Sequence, residues 1–101
     1  MSKYQMGDGT IVNTEKARKS WTEDTRFDGR NQISVNTGSQ WDHEELFESR
    51  MGRFYVVRWS QWQGSTAHAE WVSDHEAVRW LLLNKEEVPE RLLHLVDEVE
   101  E

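Results

Sequence analysis

Cysteine is absent from the 101 residues, which excludes a disulfide scaffold, a CxxC redox motif and any thiolate zinc site. Long apolar runs are missing too. The longest, Trp80-Leu81-Leu82-Leu83, is far short of the roughly 20 residues that span a bilayer. Residues 1–8 contain no apolar h-region, so a secretory signal is not expected there. Positive charge is in deficit, with 12 Lys and Arg against 19 Asp and Glu, for a net charge of −7. Nonspecific nucleic-acid binding comes mostly from neutralising phosphates, so an acidic chain is a poor candidate for it. The expectation is a cytoplasmic, single-domain protein over residues 1–101, since about 100 residues make one core.

The acidity is unevenly placed. Residues 1–40 hold nearly balanced charge, with Lys3, Lys16, Arg18, Lys19, Arg26 and Arg30 as their basic members. Most of the carboxylates follow residue 41. An acidic C-terminal half suits a partner with a basic surface. Lys16, Arg18 and Lys19 are most simply a solvated face.

Three segments are expected along the chain. Residues 1–40 form a lead-in of strands and a helix. Gly7-Asp8-Gly9 turns a small hairpin, and Asn13 or Thr14 caps a short helix running to Trp21, with Ala17 and Trp21 packing at i and i+4. Residues 32–36 alternate polar and apolar as a half-buried strand does. Residues 41–72 form a three-stranded antiparallel meander. A two-residue Met51-Gly52 turn would pair Phe47 with Val56, Glu45 with Arg58 and Trp41 with Trp62. The face carrying Trp41, Phe47, Phe54, Val56, Trp62 and Trp71 is favoured as the buried one for its aromatic mass. Residues 73–101 form a helical hairpin. Ser73 and Glu76 make a capping box, Asn84 ends the first helix, and Pro89 starts a second with Leu92, Leu93, Leu95, Val96 and Val99 inward. The fold class is α+β, with a small antiparallel sheet and helices on one face.

Six Trp residues are the outstanding compositional feature. Trp71 and Trp80 fall at inward positions and read as core. For Trp41, Trp59 and Trp62 core and interface are evenly balanced, and the tripeptides Ser39-Gln40-Trp41 and Ser60-Gln61-Trp62 repeat one another. Rings amid neutral hydrogen-bonding groups resemble the centre of an interface, where charge is depleted and aromatics are enriched. The candidate binding residues are therefore Trp41, Trp62, Gln40, Gln61, Trp59 and His43. A plain aromatic cross-strand pair is the competing explanation.

Catalytic material is thin. Asp42-His43-Glu44-Glu45 and Asp74-His75-Glu76 could supply a base, and His68 shares a strand face with Glu70. No HExxH, P-loop, GxSxG or GxGxxG motif accompanies them. The chain is not expected to be an enzyme, nor to hold a metal or cofactor.

The run Leu46-Phe47 to Gly52-Arg53-Phe54-Tyr55, followed by Ser73, Glu76-Ala77 and Trp80-Leu81, resembles small proteins found in bacterial genomes and mobile elements. These have a Gly-Arg-aromatic hairpin and then a helix opening Glu-Ala and continuing to Trp-Leu. The resemblance covers residues 40–85 and implies a bacterial or phage-like cytosolic setting. It carries over no catalytic or binding residues. The functional expectation is a non-catalytic protein-binding module, a regulator or inhibitor, acting as monomer or homodimer. The alternative is a Trp-rich surface that stacks on single-stranded nucleic acid or a saccharide.

Overall fold

A computed structural model describes residues 3–27, 29–30, 32–34, 42–60 and 66–99. Strands β1 (Lys3–Gln5) and β2 (Ile11–Asn13) make the expected hairpin. The Met6 amide donates to the Thr10 carbonyl at 2.7 Å, and Gly9 takes φ +88°, a conformation glycine adopts at no steric cost. The Asn13 side chain accepts from the Glu15 amide and caps a single 3-10 turn, Thr14–Lys16.

The helix expected to reach Trp21 stops there. Lys19–Thr22 is instead β3, paired antiparallel with β6 (Asp42–Glu48). Helical spacing between Ala17 and Trp21 was the wrong period. The strand sends Trp21 into one core, while Ala17 packs against the other. Strands β4 (Thr25–Phe27) and β5 (Gln32–Ser34) form a separate hairpin. The meander is present as β6, β7 (Phe54–Ser60) and β8 (His68–Val72). With β3 added at one edge, it becomes a four-stranded antiparallel sheet in the order β3-β6-β7-β8.

The β6–β7 register differs by one from the expected pairing. The turn has three residues, Arg50-Met51-Gly52. The Ser49 amide donates to the Arg53 carbonyl at 2.7 Å, and the Gly52 amide donates to the Ser49 carbonyl at 2.9 Å. Gly52 sits at φ +87°. A glycine in this conformation serves two-residue and three-residue hairpins alike, so its presence does not determine loop length. Phe47 consequently opposes Tyr55, Leu46 opposes Val56, and Glu44, rather than Glu45, opposes Arg58.

A one-residue slip exchanges the two faces of a strand, and here both faces are buried. Leu46, Phe54 and Val56 pack with Trp21 against α1 (Asp74–Leu83), whose Ala77, Val78, Trp80 and Leu81 are buried. On the reverse face Phe47, Tyr55, Val57 and Ala69 pack under the β1–β2 hairpin through Met6 and Val12. The expected single face thus mixed two cores: Phe47 and Trp71 lie with the hairpin, and Phe54 and Val56 with the helix. Phe47 and Tyr55 stack at 5.2 Å, with Trp71 edge-on to Tyr55 at 5.8 Å.

The C-terminal third follows its sequence signals closely. Ser73 accepts from the Glu76 amide at 3.1 Å, and Glu76 reaches back to the Ser73 amide. Asn84 ends α1. The Glu86 amide then bonds to the Leu81 carbonyl and the Lys85 amide to the Leu82 carbonyl, with Lys85 at φ +59°. This is the double-bonded helix stop that usually employs glycine. Pro89 precedes a 3-10 helix, Glu90–Leu95, that continues into α2 (Val96–Val99). Leu92 and Leu95 are buried, but Leu93 faces out, because three-residue turns place it opposite them. Arg91 fastens this segment to the β6–β7 turn. It donates to Glu48 at 2.6 Å and to the Gly52 carbonyl at 2.9 Å, its guanidinium over Phe54.

Candidate functional site

Two surfaces qualify, at opposite ends of the β6–β7 hairpin. At the open end, His43 and Trp59 face one another across the strands, their rings 5.7 Å apart. Trp59 is 36% exposed. His43 is held from behind: Nδ1 meets the Glu23 carboxylate at 2.5 Å. The same carboxylate accepts from the Ser34 hydroxyl and, at 3.0 Å, from the Glu44 amide. Glu23 thereby braces β5 and β6 to the link between β3 and β4. Nε2 of His43 is buried without a partner among the described residues. Of the six candidate binding residues, the structure brings together His43 and Trp59. Gln40, Trp41, Gln61 and Trp62 lie outside the described residues, and so does the proposed Trp41–Trp62 pair.

Beside this end runs a charged ladder. Arg58 donates to Glu44 at 2.6 Å and to Glu70 at 2.5 Å. Burial weakens the case for a charged guanidinium, but the two carboxylates outweigh it and hold its pKa above the ordinary value. Glu44 also accepts from the Trp80 indole at 3.3 Å. The polar contact expected for Arg58 therefore exists, with Glu44 in place of Glu45. Glu45 lies on the other face, where burial raises its carboxyl pKa. His68 approaches Glu70 at 3.7 Å and His75 approaches Glu98 at 3.2 Å, both as exposed pairs. Among the described residues no three His, Asp or Glu side chains are placed to share a metal ion.

The second surface is assembled from residues far apart in the sequence. A groove of about 420 Å³ opens between the β1–β2 hairpin and the β6–β7 turn. Lys3, Lys16, Arg50 and Arg53 line it, together with Ile11 and Met51. Those two apolar side chains are 67% and 79% exposed. The Arg53 guanidinium lies 3.7 Å from the Trp71 ring centre, close enough for a cation–π contact. Asp8 sits at the same place, 3.7 Å from Arg53, and accepts from the Trp71 indole at 3.2 Å. Its pKa is lowered, first by the amide and hydroxyl of Thr10 and then by Trp71 and Arg53. Tyr55 also lines the groove. It is 1% exposed, and its hydroxyl has no hydrogen-bond partner among the described residues. Burial above all, with the nearby Glu45 charge, pushes its pKa up to about 12.

In the sequence Lys16 belongs to a solvated face, Met51-Gly52 to a turn, and Arg50 and Arg53 to the ends of the strands that flank it. No local pattern marks them as neighbours. The available signal is the exposed Met51 beside two arginines at a hairpin tip. No family model matches the chain, and neither a curated protein nor a solved structure matches it.

Proposed function

We propose that this chain is a non-catalytic, cytoplasmic protein-binding module of bacterial or mobile-element origin that regulates or inhibits its partner. The observation that carries this reading is the pair Ile11 and Met51, held largely in solvent on the rim of the groove between two hairpins. Large apolar side chains clustered beside cationic ones, with a rigid aromatic floor, are the composition of a protein contact. The groove stands on a sheet packed on both faces, so the two tips are presented by a stiff support. The net charge of −7 favours a partner whose wider surface is basic.

Affinity capture from source lysate with the native chain and with an Ile11→Ser/Met51→Ser double variant tests this. Both residues are exposed, so the variant should melt with the native chain. A stoichiometric partner retained by the native protein and lost by the variant is the expected result. Equal capture by both would remove the groove as the contact, and no capture by either would sink the module reading.

A second reading, stacking on a saccharide or on single-stranded nucleic acid, is favoured by one observation: the exposed Trp59 ring backed by His43. Quenching of Trp fluorescence on titration with glycans or oligonucleotides, lost in Trp59→Ala, would support it.

A further inference from the structure

We propose that the groove between the two hairpin tips receives an acidic, extended peptide segment of the partner protein, with carboxylates alternating with apolar side chains. This deepens the protein-binding reading and rests on it. Four cationic side chains, Lys3, Lys16, Arg50 and Arg53, line the groove of a chain with net charge −7, and the carboxylate placed against them is Asp8, which meets Arg53. Four of the twelve Lys and Arg residues are gathered around this one space. Between the cations lie apolar groups, with Ile11 and Met51 at the rim and Val12 and Trp71 within. A small polyanion would leave these apolar walls wet, whereas a chain alternating carboxylate and apolar residues satisfies both. An RNA or DNA strand would meet the acidic remainder of the surface.

The molecule already shows the contact in miniature. The Asp8 carboxylate lies against Arg53 and the Trp71 indole N–H at the groove, a guanidinium and an N–H donor serving one carboxylate. Extended conformation follows from β2. In an antiparallel pair, residues alternate between hydrogen-bonding inward and directing their amide and carbonyl outward. The Met6–Thr10 hydrogen bond sets the phase, so Ile11, opposite Gln5, directs its peptide groups to the outer side. Among the described residues β2 pairs with β1 alone. Its outer edge offers an incoming strand a short stretch of backbone pairing, and the side chains around it set the preference for acid.

Selection of random dodecapeptides displayed on phage, against the full chain and against a Lys16→Glu/Arg50→Glu double variant, tests the proposal. Both substituted residues are exposed, and equal melting temperatures would verify that the variant folds. Peptides enriched on the native chain should alternate acidic and apolar residues, bind about tenfold more weakly to the variant, and weaken with added salt. Backbone amide shifts on binding should fall at Ile11–Lys16 and Arg50–Arg53. Enriched peptides that are neutral or basic, or that bind the variant undiminished, would overturn the acidic groove and leave the binding module standing. Enrichment of none, together with no lysate partner, would overturn both.

Discussion

Asn84 couples the end of α1 to the link between β3 and β4, and its removal offers a sharp test of how the helix layer is held. Its Nδ2 donates to the Trp80 carbonyl at 2.7 Å, and its Oδ1 accepts from the Asp24 amide at 2.6 Å. The residue is 4% exposed. In Asn84→Ala the Asp24 amide loses its acceptor in a partly buried setting, which costs about 1–3 kcal/mol. The Trp80 carbonyl is less affected, because the Asn84 backbone amide still donates to it at 3.1 Å; that loss is about 0.5–1 kcal/mol. The expected destabilisation is about 2–4 kcal/mol, a large share of the 5–15 kcal/mol typical of a domain. Urea unfolding followed by Trp fluorescence should show the midpoint falling by about 2 M with an unchanged slope. Asn84→Asp is the control. It keeps the acceptor for Asp24 but places a charge against the α1 carbonyls, so it should be destabilised at neutral pH and recover on acidification as the carboxyl regains a proton. A loss below about 0.5 kcal/mol for Asn84→Ala would refute the coupling and show that packing alone holds the helix end.

Lys85→Gly should stabilise the protein by about 0.5–1 kcal/mol in the same assay, because it relieves a side chain held at φ +59° beyond α1. Trp80→Ala should cost about 3–5 kcal/mol as a core truncation, whereas Trp59→Ala, at the exposed end of the hairpin, should cost about 1 kcal/mol or less. Equal losses would place Trp59 in the core. The Tyr55 phenol, raised from 10.0 to about 12, keeps its proton in the folded chain while the unfolded chain releases it. Stability from this group is therefore complete below pH 10 and is lost as pH rises towards 12, by about 2–3 kcal/mol in all. Tyr55→Phe should flatten that alkaline limb of the pH–stability curve, and an unchanged limb would refute the assignment.

Much of the architecture could be read locally because its determinants are local. Ser73 and Glu76 satisfy each other's amides within one turn, so the capping box marks the start of α1 before any packing is known. Gly7-Asp8-Gly9 and Met51-Gly52 marked turns because a positive φ is a property of one residue. Trp80 was legible as core from helical spacing. Where two local signals competed, the reading failed. Lys19–Thr22 carries too little pattern to choose between helix and strand, and the free edge of β6 decided it.

The amino-acid sequence by itself determined the α+β class, the three antiparallel strands of the meander and the capped helix behind them. Each of these is announced by a signal local in the chain: a turn glycine, a run of strand-forming residues or a capping pair. Tertiary structure alone decided the register of β6 on β7, since the same glycine serves two loop lengths and a one-residue difference moves Arg58 from Glu45 to Glu44. It also decided that the sheet is buried on both sides, because whether an apolar face meets water depends on what the rest of the chain lays over it. The groove belongs to the same category. Lys3 and Lys16 lie far along the chain from Arg50 and Arg53, and only the folding of one hairpin across another sets these four charges around one space.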